Sequence, residues 1–159
     1  MEVLVKYAES EKELEDVQYV RTEVHVKEQG FNVPGSFDET CIHVIAYVIK
    51  KDEGSESTTQ IPVGSLRFFK KDDDKFKIGR VAVLSSYRGL SIGKKMMVFV
   101  EEQVFGNKRE EFEKVNQLVL SSQYGRHGFY IKLGYYTVGE VYNEDNYPHI
   151  YMIKDRVPQ

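Results

Sequence analysis

The hydrophobic repeat of this chain changes period once, between residues 84 and 92. Upstream, HVIAYVI at 43–49 and the runs at 61–69 and 75–84 are rich in β-branched and aromatic residues at strand length. They are separated by polar segments, KDEGSESTTQ at 51–60, expected to be mobile, and KDDD at 71–74, a charged turn. Downstream, Ile92, Met96, Phe99 and Val100 recur at helical spacing, which predicts a helix over 91–105. A three-strand antiparallel meander that feeds a helix must cover its sheet with that helix, so the pattern restricts the chain to an α/β architecture.

The flanks extend the pattern. VLVKYA at 3–8 reads as a strand. Ser10-Glu11-Lys12-Glu13 is a capping box, and Leu14, Val17, Val20 and Val24 carry the helix on to about Lys27. The glycines and proline of 28–35 mark a loop. A strand at 117–121, a short helix over 125–133 ended by Gly134 in a left-handed C′ position, and strands at 135–142 and 150–154 complete the order β-α-βββ-α-β-α-ββ. The fold class is an α/β sandwich around a mixed, mostly antiparallel sheet, and the 159 residues suit one domain, 1–159.

A formal net charge of -3 argues against nucleic acid as the partner. The one cysteine, Cys41, excludes an internal disulfide and suits a reducing setting, the cytoplasm, with the nucleus not excluded. MEVLVKYAESEKE has no basic start followed by a long apolar run, so no signal peptide is expected. The densest apolar run, 96–100, is too short to span a bilayer, and no membrane partner is expected. His25, His43, His127 and His149 are scattered without metal-ligand spacing, so no metal is expected.

Between strand and helix lies Arg88-Gly89-Leu90-Ser91-Ile92-Gly93-Lys94. The opening turn of a helix offers unpaired amides and a partial positive charge, and glycines let a ligand approach the backbone. Together they suit a phosphate, with Arg88, Lys94 and Lys95 adding charge at the rim. Only three residues separate Gly89 from Gly93 and a lysine follows Lys94, so a Walker A loop fails on spacing, and no G-x-G-x-x-G is present. The competing reading is a turn whose glycines only relieve strain.

Two stretches, GRVAVLSSYRGLSIGKKMM and LSSQYGRHGFYIKLGYYTVGE, resemble the GNAT family, the GCN5-related N-acetyltransferases. Arg88, Ile92 and Gly93 fit the family signature Q/R-x-x-G-x-G/A, with Ser91 where the middle glycine usually stands. VKEQGFNVPGSFDE, GRVAV and YPHIYMIK look like the ElaA/YjcF-type branch. The resemblance implies a sheet split by a β-bulge near Ala82, with acetyl-CoA in the split. It implies that the pantetheine amides pair with the strand at Val81, Ala82 and Val83. The pyrophosphate would rest on Arg88, Gly89, Leu90, Ser91, Ile92, Gly93 and Lys94. Gln123 stands where many members carry an asparagine that touches the cosubstrate.

The implied activity is transfer of acetyl from acetyl-CoA to a primary amine, on a small molecule or a peptide, by direct attack in a ternary complex. The alternative is a CoA-binding module of the same fold with little or no turnover. An alkylammonium near ~10.4 must lose its proton, and a thiolate of roughly 8.5 must gain one. The family's F-Y-x-K-L-G-F/Y helix assigns the acid to Tyr130. The base stays open among Glu28, Asp38, Glu39, His43 and His149, with Glu28 and His149 the leading pair. The acidic stretch GEVYNED at 139–145 either attracts a cationic acceptor such as a polyamine, amino sugar or lysine, or is an exposed charged loop. Many relatives pair, so a homodimer is compatible with the family.

Overall fold

A computed structural model describes residues 1–29 and 40–157. In chain order the elements are β1 (Glu2–Tyr7), α1 (Glu11–Arg21), β2 (Ile42–Lys51), β3 (Thr58–Asp72), β4 (Lys75–Val83), α2 (Ile92–Phe105), β5 (Gln117–Gln123), α3 (His127–Lys132), β6 (Tyr136–Glu144) and β7 (Tyr147–Asp155). The expected order of strands and helices holds. The seven strands form a mixed sheet in the order β1-β2-β3-β4-β5-β7-β6, in which β4 and β5 run parallel. Among the described residues no helix is long and apolar enough to cross a membrane.

Several boundaries differ from the sequence reading. β3 begins at Thr58, inside the segment expected to be mobile, because backbone pairing is indifferent to polar side chains at an exposed strand end. The turn before it is tied by Asp52, which accepts from Ser57 Oγ at 2.9 Å and Thr59 Oγ1 at 2.8 Å. β7 begins at Tyr147 rather than at 150, since Asp145 and Asn146, at φ 51° and 65°, close a two-residue hairpin. α1 continues as a π-helix over Thr22–Glu28, with the Gln29 amide donating to the Val24 carbonyl at 3.0 Å.

The chain divides into two compact units. The first comprises Met1–Arg67 and Arg80–Val100. Its helix α1 starts as predicted: Ser10 Oγ accepts from the Glu13 amide, and Glu13 Oε1 accepts from the Ser10 amide at 3.0 Å. Lys6 also pairs with Glu13, and these donors pull its carboxyl down to about 2. The apolar stripe of α1, Val17, Val20 and Val24, packs on Ile45, Tyr47 and Ala82, with Leu14, Ile49 and Leu84 at the margin. Each such side chain contributes about 1.5–3 kcal/mol of transfer free energy. On the other face of β3, a Cβ at Gly64 would come within 3.0 Å of Met96 Cε and 3.1 Å of Ile92 Cγ2, so α2 lies directly on that strand.

The second unit comprises Phe68–Gly79 and Glu101–Gln159. Phe68, Phe76 and Phe112 form its aromatic centre, with ring centroids 5.4 to 6.0 Å apart. β5 pairs with β7 from Gln117↔Asp155 to Gln123↔His149. The β6–β7 register shifts between Val138 and Tyr142, where Gly139 takes φ 77°. Arg156 ties the connections down by donating to the carbonyls of Phe105, Phe112 and Val115.

α1 is fixed to β2 by a buried polar contact as well as by packing. Tyr47 Oη donates to Asp16 Oδ2 at 2.7 Å, and Asp16 is 6% exposed. Tyr47→Phe removes that donor and leaves a buried carboxylate oxygen unpaired. Urea unfolding of this variant should give a stability lower by about 1–3 kcal/mol with an unchanged m-value.

Candidate active site

β4 pairs with β5 only over Lys75–Ile78. Two residues further on, Arg80 takes φ 54°, a left-handed conformation rare outside glycine. The backbone irregularity expected near Ala82 therefore falls at Arg80. Val81 and Val83 are half-buried, and Ala82, at 3% exposure, is part of the core under α1. The Leu84 amide still donates to the Val63 carbonyl at 2.8 Å, after which the chain makes a tight turn with the Tyr87 amide on the Leu84 carbonyl.

The loop that follows has two left-handed residues, Gly89 at φ 81° and Ser91 at φ 62°. No heavy atom lies within 4 Å of a Cβ built on Gly89, so the backbone there is open to approach. The Ser91 carbonyl accepts from the Lys95 amide at 2.9 Å, the first bond of the α2 ladder. The amides of Ile92, Gly93 and Lys94 precede that bond and are the orphan donors of the helix start. Gly89, Leu90, Ser91, Lys94 and Lys95 are exposed, while Ile92 is buried and anchors the turn to the core.

Two of the residues singled out from the sequence are partners of each other. Arg88 Nη1 and Nη2 donate to the two carboxylate oxygens of Glu28, the second at 2.7 Å. Arg88 Nε and Nη2 also donate to the Val83 carbonyl, at 3.1 and 2.9 Å. The side chain expected at a phosphate rim thus holds the end of β4, and the candidate base carries a bidentate cation. His43 is the second residue of β2, is 5% exposed, and its carbonyl accepts from the Ala8 amide at 2.8 Å. Asp38 and Glu39 lie outside the described residues.

Tyr130, Gln123 and His149 belong to the second unit. α3 ends in a Schellman turn: the Tyr135 amide donates to the Tyr130 carbonyl at 3.1 Å, and the Gly134 amide to the Ile131 carbonyl at 3.0 Å. Gly134 takes φ 97°, as its place after the helix predicts. The turn locks the backbone of Tyr130, whose ring meets Phe129 at 5.0 Å and Tyr135 at 6.1 Å. Lys154 covers the turn, donating to the Leu133 carbonyl at 2.6 Å and to Glu101 Oε1 at 2.9 Å. Burial pushes the Tyr130 phenol up to about 12, against the pull of Arg126.

Gln123 ends β5 opposite His149. His149 is 6% exposed; its Nδ1 lies 2.8 Å from the Tyr147 carbonyl and its Nε2 3.5 Å from Glu144 Oε2. Ser121 hydrogen-bonds to Tyr142 beside the same carboxylate. The acidic residues Glu140, Glu144 and Asp145 are exposed. Among the described residues no group of three or more His, Cys, Asp or Glu side chains is placed to hold a metal ion.

Sequence patterning gave no role to Arg21, Ser65 or Arg80. Arg21 stands four residues after Val17 on the buried stripe of α1 and is fully buried. A charge at an apolar-stripe position was the available signal.

Residues 43–137 match the sequence profile of the acetyltransferase (GNAT) domain, a span that includes β4, the glycine loop and α3. An N-acetyltransferase of Bacillus subtilis named YjcF, itself uncharacterized, is 31% identical over 152 residues, 93% of this chain and 96% of the relative. The crystal structure of Escherichia coli ElaA superposes with a TM-score of 0.74 over 97% of this chain and 99% of ElaA, at 24% identity. An aminoglycoside 6'-N-acetyltransferase complexed with coenzyme A shares the fold, with a TM-score of 0.68 at 16% identity over 100% of this chain and 99% of that one. The chain therefore belongs to the GNAT acetyltransferase family, in its ElaA/YjcF-type branch.

Proposed function

We propose that this chain moves an acetyl group from acetyl-CoA to a primary amine by direct attack in a ternary complex, with 1–159 working as one domain. The observation that carries this reading is the family match over 43–137, a stretch of sequence that includes the opening of α2 and the Schellman-locked Tyr130. The thioester supplies an activated acyl group and a leaving thiolate. Ile92, Gly93 and Lys94 offer backbone donors to a pyrophosphate, with Gly89, Leu90 and Ser91 shaping the approach. Val81 and Val83 offer strand backbone to the pantetheine arm, and Gln123 is assigned to the same ligand. The Val83 carbonyl already receives two donors from Arg88, so this pairing requires Arg88 to give up at least one of them. An amide near Val83 polarises the acyl oxygen.

Tyr130 is assigned the proton delivered to the thiolate. A phenol at about 12 stays protonated through neutral and mildly alkaline pH. Against a thiol of roughly 8.5 it acts chiefly as a hydrogen-bond donor to developing charge on sulfur, not as a strong acid. His149 and Glu28 remain the two candidate bases. His149 has Glu144 to steady a positive ring, whereas Glu28 must first leave Arg88. A second reading, a CoA-binding module with little turnover, rests on that Arg88–Glu28 fork and on the left-handed Ser91.

Offering acetyl-CoA and a panel of amines to the purified protein, with detection of free thiol and of acetylated products by mass, separates the two readings. Calorimetric titration of CoA tests the binding they share; absence of any heat would end both. Tyr130→Phe should lower kcat by about 100-fold while leaving acetyl-CoA affinity within a factor of two. Since the neutral phenol persists to about 12, kcat of the parent protein should not decline between pH 7 and 10 through ionisation of Tyr130. Full activity in the variant would remove Tyr130 from the reaction.

Ser91→Gly tests the loop. It relieves the left-handed strain of a non-glycine residue, about 1–2 kcal/mol, and gives back about 0.4–1 kcal/mol through the freer unfolded chain. Thermal unfolding should show a small gain in stability, and calorimetry a CoA affinity tighter by a few-fold. Weaker binding would mean that the serine hydroxyl is itself a ligand for the phosphate.

A further inference from the structure

The first unit buries a group of basic side chains to which the proposed reaction gives no task. Arg21 is fully buried, and its Nε, Nη1 and Nη2 have no hydrogen-bond partner among the described residues. The charges of Arg67 and Arg80 act on it; burial and these two neighbours pull its guanidinium down to about 10, which leaves it cationic at neutral pH. His25, one helical turn further and 8% exposed, lies in the field of Arg21 and Arg80 and bonds to Gln29 Oε1 at 3.1 Å. Burial lowers its pKa, so the ring is neutral and adds no charge of its own.

Strand parity puts Arg67 in the same place. Gly64 looks onto α2, so Val63, Ser65 and Arg67 occupy the opposite face of β3, the face that α1 covers. Among the described residues, Ser65 Oγ is fully buried there with no hydrogen-bond partner, and Arg80 Nε is likewise buried and unpartnered. Arg80 itself sits in the left-handed conformation described above, a strain that the strand would not adopt without cause. These atoms are guanidinium nitrogens and a hydroxyl, all able to donate. Interiors do not leave such groups unpaired without loss of stability. Guanidinium donors and a hydroxyl buried in one unit are complementary to one kind of ligand, an oxyanion.

Resting on the acyl-transfer reading, we propose that Arg21, Arg80 and Ser65 receive a carboxylate or phosphate carried by the amine acceptor. The acceptor is then an anionic amine, an amino acid or an amino phosphate ester, and not a polycation. Arg80 immediately precedes Val81, so an acceptor held by it stands beside the strand assigned to the acyl donor.

The test has an equilibrium arm that needs no turnover. At matched ionic strength, acetate or inorganic phosphate should raise the thermal midpoint of the purified full chain by about 3 °C, and acetamide should not. Arg21→Met should keep or raise the midpoint of the unliganded protein, because it removes a buried unpaired charge, and should abolish the oxyanion shift. A merely structural Arg21 would instead lower the midpoint. Arg80→Gln should likewise weaken the shift, which keeps the arm usable if one variant fails to fold.

The kinetic arm offers acetyl-CoA with glycine against glycinamide, phosphoethanolamine against ethanolamine, and spermidine. The anionic member of a pair should have a kcat/KM about 100-fold above its neutral partner, and Arg21→Met should bring that ratio near one. Which pair responds identifies carboxylate or phosphate. Equal use of glycinamide, preference for spermidine, or an oxyanion shift that survives Arg21→Met would overturn the proposal while leaving acyl transfer intact. An oxyanion shift without acetylation of any acceptor would overturn the acceptor assignment. Failure to bind CoA would defeat the acyl-transfer reading by itself, with the equilibrium arm still deciding whether the arginines bind an anion.

Discussion

The carbonyl of Val83 accepts twice from one side chain, Arg88, which gives two further donors to Glu28. This fork joins the last residue of β4 to the end of the π-helix that follows α1. Charge-assisted bonds of this kind are strong, directional and short in reach, so they set backbone position in a way that apolar packing cannot. The loop from 88 to 91 leaves the strand at a fixed point, and α2 begins where it does because Ile92 is then delivered to the core. Weakening the fork would free both a strand carbonyl and a carboxylate, so the state of Arg88 decides two chemical resources at once.

The second unit reaches a comparable fixity by another route. Six residues of α3 are too few to hold a helix by their own hydrogen bonds. The Schellman turn at Gly134 and the lysine that covers it supply the missing constraint, and Tyr130 sits at the position whose carbonyl closes the turn. A side chain there has little backbone freedom. Burial also raises its phenol to about 12, so it keeps its proton well above neutral pH.

What could be read from the sequence follows from how local each determinant is. Ser10 and Glu13 cap α1 within four residues, and Gly134 ends α3 with its own φ, so both were visible as motifs. The order of strands and helices along the chain followed from apolar runs of the right length and spacing. The start of β3 at Thr58 was hidden because strand pairing there is a property of the neighbour, not of the threonines. The Arg88–Glu28 pair spans sixty positions, and no spacing rule announces it. The π-helical stretch over Thr22–Glu28 looks like ordinary helix in any periodicity of this length. Arg21 was hidden for a different reason. A charge on an amphipathic stripe normally snorkels, and only the packed structure reveals that this one does not.

These features share a thermodynamic direction. Ser91 and Arg80 hold left-handed conformations that glycine would adopt more cheaply, and Arg21 buries a cationic group with no hydrogen-bond partner among the described residues. Each lowers the stability of the first unit in isolation. A sequence that drifts under selection for folding alone would shed such features, since single substitutions repair them. Their presence together, on one strand, one loop and one helix of the same unit, fits a part whose full complement of favourable contacts includes negative charge from outside the chain. Ligand binding and folding stability are then linked, because whatever satisfies these donors binds the folded state alone and is counted in its free energy. Under that linkage the unliganded first unit is the less stable half of a cycle whose anions complete it.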